Sequence, residues 1–518
     1  MHRTNLRSTT RPLTLSALAI SLLLLSGCAS MKPEPLQPAE IVSTVDADRA
    51  RLMQGVEPLT GVLSLEEAIA RAIKHNAERR YRIMEEALAQ GTFDASTYDL
   101  LPRLVASAGY RDRNNDLISH STDSVTGAPS LANPFISTGR TATTTDLTLS
   151  WSLLDFGQSY YAAKQNADRL LIAQERRRKA LQLLVQDVRT AYWRLVAAQS
   201  LHEAVGQGIR EAEAALGDAR KAETEGLRNP MEPLRYQRTV LENIRMLETV
   251  QQELSTARTE LAALVNLPMS TEITVAPPSA VLQKAWLDLP VARLEEQALM
   301  RNADLREGIL NSRIARQETR RTLLKLFPGL SFNYGTKHST DSYLINQTWN
   351  EAGVQLSFNL FNVFSAPAQM RLSEAGVALA DQKRLVTQMA VLTQLHVARL
   401  QYANAIHQFE RADEIADIEA RMAGHARNQS DAEKQSRLDR VSQSTSYVLA
   451  QLRRYQALSN AQSAASKLQA TLGLEPVVDA GAERPLPELT DSVRKALDAW
   501  QQAALPDAGG SATGRDAP

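Results

Sequence analysis

The chain contains one cysteine, Cys28, in 518 residues, so no disulfide can form within it and stability must come from packing or assembly. Phe, Trp and Tyr make up only 5% of the sequence, while Ala, Leu, Gln, Arg and Glu dominate. That composition suits long helices better than aromatic-rich globular cores. Charge of one sign is also missing: 58 Lys and Arg balance 58 Asp and Glu, which excludes a global field directed at nucleic acid. Beyond the N-terminus no apolar run approaches the length of a membrane-spanning helix. Phosphate loops, Gly-rich dinucleotide turns, Gly-x-Ser-x-Gly and His-Glu-x-x-His are absent. His396 and His407 sit about three turns apart on one predicted helix, too far to share a metal ion. The expectation is a protein with no catalytic residues, no metal and no cofactor.

What is present begins with an export signal. Arg3, Arg7 and Arg11 lead into an apolar run from Leu13 to Leu25, too short to span a bilayer but suited to a signal-peptide core. The run closes on Leu25-Ser26-Gly27-Cys28, which resembles a bacterial lipobox, against the alternative of an ordinary signal peptide with a chance cysteine. The resemblance implies a leader over 1–27 and a mature lipoprotein acylated, with palmitate or a similar chain, at Cys28. Ala29 and Ser30 after it resemble the sorting residues of outer-membrane rather than inner-membrane lipoproteins.

Laid over itself 207 residues out of register, the chain matches a strand and then a helical stretch of a hundred residues. Leu149-Ser150-Trp151-Ser152-Leu153-Leu154-Asp155 opens the first copy, which ends at Leu267-Pro268. Leu356-Ser357-Phe358-Asn359-Leu360-Phe361-Asn362 opens the second, which ends at Leu474-Glu475-Pro476. Leu184, Val188, Ala191, Leu195 and Ala198 fall on Val391, Leu395, Ala398, Tyr402 and Ala405, at coiled-coil spacing. Each copy is preceded by a helix, expected over Leu65 to about Ala89 with Ser64 as cap, and over Leu294 to about Leu323. Leu101-Pro102 and Phe327-Pro328 then stop the helix and feed a strand.

Two strands per copy are expected. Leu147, Leu149, Trp151 and Leu153 alternate with Thr148, Ser150 and Ser152; Val354, Leu356, Phe358 and Leu360 alternate with Gln355, Ser357 and Asn359. Leu330, Phe332 and Tyr334 form a third apolar face, and Leu104 to Tyr110 a weaker fourth strand. An apolar face opposed to a polar, uncharged one fits a half-exposed soluble sheet or a membrane barrel with a wet lumen. Four strands of about nine residues are too few to close a barrel, so the second reading requires several copies. The polar stretches Arg111 to about Thr144 and Thr336 to about Asn350 read as strand connections.

Gln158 to Gly226 has no Pro or Gly pair, and as one helix it would reach roughly 100 Å. Asn229-Pro230-Met231-Glu232-Pro233 breaks it, and a return helix with Val240, Leu247, Leu254 and Leu261 a heptad apart runs to Val265, giving an antiparallel hairpin. In the second copy the long helix is expected to start near Pro367 and to turn around Gln435 to Arg440, with Ala450, Ala457 and Ala464 along the return. A short helix over Leu489 to Ala503 precedes a Gly, Ala and Pro-rich tail.

The order of lipobox, helix, Pro-strand, strand, long helix, tip, return helix and Leu-Pro ending, most of it twice, resembles the TolC-like outer-membrane efflux duct family from Leu63 to Pro476. The resemblance implies a mixed, mainly α fold: coiled-coil hairpins forming an α-barrel, and four strands per chain contributing to a trimeric twelve-stranded transmembrane β-barrel. It divides the chain into a leader (1–27), a lipidated linker (28–62), a first repeat (63–268), an equatorial segment (269–290), a second repeat (291–476) and a C-terminal periplasmic segment (477–518). The lipid-facing residues would be Leu147, Leu149, Trp151, Leu153, Phe332, Tyr334, Val354, Leu356, Phe358 and Leu360. The family narrows its periplasmic entrance with acids at the second tip, and the matching stretch here is Asp439-Arg440-Val441-Ser442, with Glu232 at the first tip. Ser442 replaces the second acid, Arg440 is placed to pair with the first, and Glu433 stands where Gly226 stands in the first tip. The implied partners are two further copies of the chain, outer-membrane lipid, a periplasmic adaptor (membrane fusion) protein and an inner-membrane RND or ABC pump. The alternative reading is a coiled-coil envelope lipoprotein without a pore.

Overall fold

The computed structural model describes residues 35–129, 134–224, 231–276, 282, 284–431, 437–474 and 484–501. Two compact units divide at Gly55. In the first, helix α1 (Pro38–Met53) starts on a proline and buries no residue. Cys28 and the expected leader lie outside the described residues.

In the second unit α2 (Leu65–His75) and α3 (Ala77–Tyr98) lead to β1 (Arg103–Asp112), β2 (Ile118–Ser119), β3 (Phe135–Ile136) and β4 (Thr141–Ser152). The 72-residue α4 (Leu153–Thr224) follows, with the return helices α5 (Met231–Ser255) and α6 (Ala257–Leu264). Next come α7 (Ala285–Asp288), α8 (Val291–Arg301), α9 (Ala303–Leu324), β5 (Gly329–Ser339) and β6 (Thr348–Ser357). The 70-residue α10 (Asn362–Asp431), α11 (Arg437–Thr471) and α12 (Leu486–Gln501) complete it.

Each expected first helix is in fact two. Ser64 caps α2 as anticipated, its Oγ accepting from Glu67 N at 3.1 Å, and Leu65, Ala68, Ile69, Ala72 and Ile73 are buried. The chain then breaks at Asn76 and again, in the second repeat, at Asn302. Each asparagine takes ψ near 130° and re-caps the next helix: Asn76 Oδ1 accepts from Arg79 N, and Asn302 Oδ1 from Asp304 N, both at 3.0 Å. The return helices also end alike. Asn266 (φ 57°) and Gly473 (φ 68°) are left-handed, and Leu267 N and Leu474 N reach back to Ala262 O and Gln469 O at 2.9 and 3.0 Å. A Cβ on Gly473 would strike the Arg301 carbonyl, so glycine is needed there in addition to its φ.

Boundaries shift for local reasons. α4 begins at Leu153, directly after the strand, because Ser152 Oγ accepts from Asp155 N (3.2 Å) and turns the chain into the helix. Leu153 therefore belongs to α4 and not to the strand face. β6 ends at Ser357, which leaves Phe358 and Leu360 beyond the strand. α10 starts at Asn362, with Pro367 inside its second turn rather than at its start. The first return helix breaks at Thr256, whereas the second is continuous.

The sheet is antiparallel in the order β1-β4-β5-β6, so β4 and β5 join the repeats and β1 and β6 are its edges. The strands run further than expected, and within the first connection β2 pairs with β3. Around Leu63, Ile69, Tyr192, Leu261 and Leu267 the first repeat builds its largest core, to which α12 adds Leu489 and Val493. The second repeat builds a counterpart around Trp286, Leu294, Leu395, Tyr402 and Leu468.

Candidate functional site: the strand face and the helical hairpins

The strand register sorts the sheet's two faces. Leu149 lies between Leu104 and Tyr334, and Trp151 opposite Phe332, which faces Val354; Leu330 faces Leu356. The Trp151 and Phe332 rings stack with centroids 6.2 Å apart. Alternation puts Leu104, Leu147, Leu149, Trp151, Phe332, Tyr334, Val354 and Leu356 on one face. No core covers them: Leu149 is 42% exposed, Trp151 36% and Leu356 69%. A contiguous exposed apolar face of this kind is a contact surface for something apolar. Among the described residues no helix is long and apolar enough to cross a membrane.

The opposite face carries Ser107, Thr148, Ser150, Asn333 and Gln355. It is not uncharged, as the sequence suggested. Asp146 accepts from Ser107 Oγ at 3.3 Å, Lys337 pairs with Asp146 in register, and Lys337 Nζ meets Glu351 Oε2 at 2.7 Å. Sequence reading missed this ladder because Lys337 fell in what read as a strand connection, and Asp146 and Glu351 just outside the stretches read as alternating strands. Beyond the strands, Asp341 ties the two connections together, accepting from Gly139 N (2.9 Å), Tyr343 N (3.2 Å) and Arg111 Nη2 (3.2 Å). The Gly139 and Tyr343 amides, with Arg111, hold its carboxyl below the usual carboxylate range.

At the other end, Gly226 and Glu433 lie outside the described residues, as do the side chains of Glu232 and Asp439. The turn expected around Gln435 to Arg440 is corrected: α11 already starts at Arg437, so Asp439, Arg440 and Ser442 stand in its first turns. Arg440 Nη2 meets Glu211 Oε1 on α4 at 3.2 Å, across the repeats. Val441 beside it is buried with Ala212, Leu216, Val240 and Ile244, which fixes the rotation of this end of α11. Ser442 is half-buried.

Between these ends the repeats are joined by a seam that sequence reading overlooked. Asp168, Glu175, Gln182 and Arg189 recur every seven residues on α4, and all are buried. Asp168 takes Arg313 and, at 2.9 Å, Gln317 of α9; Glu175 takes Arg306 at 2.8 Å and Arg178 at 3.0 Å. Arg189 reaches Gln462, Ser466 (2.6 Å) and Gln469 (3.4 Å) of α11. Burial raises the Glu175 carboxyl against the pull of Arg178 and Arg306, and lowers the Arg189 guanidinium to about 10, still charged at neutral pH. Polar groups so placed fix the register of the repeats more than they add stability. The heptad interval was the available signal.

Midway along α4, at the level of Tyr192 and Gln199, Leu63 bridges the inter-repeat segment, its N donating to Thr274 O (2.8 Å) and its O accepting from Ala276 N (3.2 Å). Trp286 Nε1 donates to Trp500 O at 2.9 Å, bringing the C-terminal α12 to the same level. Nearby, burial works to raise the Glu57 carboxyl. Lys74 Nζ (2.5 Å) and His75 Nε2 (2.7 Å) outweigh it and hold the carboxyl at about 2. His396 bonds Glu295 and His407 bonds Glu410, so each histidine has a carboxylate of its own.

Comparison with known proteins places this geometry. Residues 68–267 match the family model described as Outer membrane efflux protein. No curated relative matches at the sequence level. Among solved structures the chain is similar to a membrane protein from Pseudomonas aeruginosa, with TM-score 0.62 and 15% identity over 86% of this chain and 98% of that one. It is similar to the Campylobacter jejuni CmeC outer membrane channel (TM-score 0.63, 11% identity, 83% and 89%). The open state of the Neisseria gonorrhoeae MtrE outer membrane channel matches with TM-score 0.59 and 14% identity, over 81% and 94%. The likeness is one of fold, long helical hairpins with a few antiparallel strands, and CmeC and MtrE, which share it, are outer membrane channels.

Proposed function

We propose that this chain, which over residues 68–267 belongs to the outer membrane efflux protein family and has the fold of TolC-like outer-membrane channels, forms a trimeric exit duct. The observation that carries the reading is the exposed apolar strand face on a sheet whose edges, β1 and β6, have no partner strand among the described residues. Strand edges are tolerated in lipid only when a barrel closes, and four strands do not close one. Three copies supply twelve, with the Leu149, Trp151 and Leu356 face toward lipid and the Asp146, Lys337 and Glu351 ladder toward water. Cys28 anchors the chain in the outer membrane, and the hairpins continue as a tunnel through the periplasm.

The duct does no chemistry. It acts as the passive conduit of a tripartite efflux or type I secretion system, energised by an inner-membrane RND or ABC pump through a periplasmic adaptor docked at the hairpin tips. Arg440, Ser442, Asp439 and Glu232 narrow that entrance. A coiled-coil tether without a pore has no use for an outward apolar strand face, which disfavours that alternative.

The test is expression with the native leader in a Gram-negative host, membrane fractionation, and native mass measurement of the extracted protein. Recovery in the outer membrane at the mass of three acylated chains supports the duct; recovery as a periplasmic monomer overturns it.

A further inference from the structure

The two repeats are equivalent at two offsets: 207 residues for the long and return helices, and 226 for the helices that precede them, as Asn76 and Asn302 show. The offsets differ because the second strand connection is shorter. Within the chain α9 packs both on α10 of its own repeat and on α4 of the other, whereas α3 packs on its own α4. The face of α10 that corresponds to the α9-covered face of α4 is open. Ile172 under α9 is 6% exposed, and its equivalent Leu379 is 72% exposed, with Leu372 and Val386 exposed a heptad to either side. The outer face of α3 is open too. Leu88 is 72% exposed and Tyr81 and Met84 are exposed beside it, while the α9 equivalents of Met84 and Leu88, Leu310 and Ile314, are half-buried.

We propose that α3 of one copy seats on α10 of the next, in the place α9 takes on α4 within the chain, and that this seam between copies is apolar where the internal seam is ionic. The inference rests on the assembly reading above and names its surfaces. Inside the chain Asp168 meets Arg313 and Gln317; the equivalent positions between copies are Ala375, Ala87 and Gly91. Gln165 with Glu318 becomes Leu372 with Thr92, and Lys179 with Asp304 becomes Val386 with Glu78. Small residues at the crossing let the helix axes approach closely, and Met84, Leu88, Leu372 and Leu379 bury apolar area around it. Each copy presents α3 on one side and α10 on the other, a head-to-tail contact of the kind that closes into a ring. The ionic seam sets register where the chain already holds the helices together; the apolar seam supplies association where copies must find each other.

The test is site-directed cross-linking of the full-length lipoprotein in membranes. A chain carrying Ala87→Cys and Ala375→Cys, treated with a short bis-maleimide, is expected to give linked dimers and trimers with nothing larger. Each single variant should give no linked species, because Cys28, the only native cysteine, carries the acyl chain and offers no thiol. Thr92→Cys with Leu372→Cys is the second pair. Independently, Ala375→Asp should lower the trimer yield at least tenfold, and Ala87→Arg in the same chain should restore it, because together they rebuild the Asp168 and Arg313 pair between copies. A trimer by native mass in which neither pair links overturns the seam and leaves the duct reading standing. A monomer by native mass with no links removes both.

Discussion

Asn302 Nδ2 donates to the carbonyl oxygen of Thr471 at 3.2 Å, and Asn76 makes the same bond to Leu264 at 3.1 Å in the first repeat. Each asparagine caps the helix it begins and, with its amide, pins that helix to the end of the return helix. Asn302→Ala removes a cap and leaves the Thr471 carbonyl short of a buried partner. The expected cost is about 2 to 3 kcal/mol. Asn302→Asp keeps the cap, loses the donor and should fall between. Thermal unfolding in detergent, followed by circular dichroism, checks the order.

The strand face gives a second prediction. Leu356→Arg places a charge on the apolar face at an assumed midplane depth, at a cost of about 2 to 4 kcal/mol. Gln355→Arg, one residue away on the polar face, should be tolerated. Heat-resistant oligomer in the membrane fraction should disappear for Leu356→Arg and persist for Gln355→Arg, while helix content stays unchanged in both.

The contrast between Leu356 and Leu153 shows how far the sequence carries. Strict alternation marked both as strand-face residues, and it holds for Leu356 because the polar partners Gln355 and Ser357 continue the pleat. Leu153 keeps the alternation but follows Ser152, whose hydroxyl starts a helix, so periodicity alone misassigns it. The long hairpins were legible because apolar residues at coiled-coil spacing recur at matching positions in both copies, Leu184 to Ala198 and Val391 to Ala405. The breaks at Asn76 and Asn302 were not, since the apolar stripe runs straight through them; the signal was local, an asparagine followed two residues on by Glu78 or Asp304. The partners in long-range pairs such as Arg440 with Glu211, or Asp168 with Arg313, cannot be assigned from one sequence because they depend on how two repeats dock; the heptad interval marks only the α4 side of that seam.

The third prediction concerns pH. Glu57 is held at about 2 when folded, below its ordinary 4.5, so its stabilisation is complete above 4.5 and is lost as pH falls from there toward 2. His75 is lowered mainly by burial, so it is neutral when folded. Acidification through its ordinary 6.5 favours the unfolded chain, which protonates first. Both effects weaken the fold on the acid side. In melting temperature against pH, Glu57→Gln should flatten the limb below 4.5, and His75→Gln should remove the part that begins near 6.5.

At the hairpin tips, the Arg440 and Glu211 pair is partly exposed and worth at most about 1 kcal/mol to the fold. Its effect on the entrance should be larger than its effect on stability, since it ties α11 of one repeat to α4 of the other. Arg440→Glu should raise the open fraction in single-channel recordings with little change in melting temperature. Adding Glu211→Arg should bring it back.

The most direct measurement is conductance of the purified, acylated protein in a planar lipid bilayer. The account predicts discrete, long-lived conductance steps from a species with the mass of three chains, absent for Leu356→Arg and altered for Arg440→Glu. A protein that binds the bilayer through its acyl chain but gives no steps, with Leu149, Trp151 and Leu356 accessible to water-soluble probes, would contradict it.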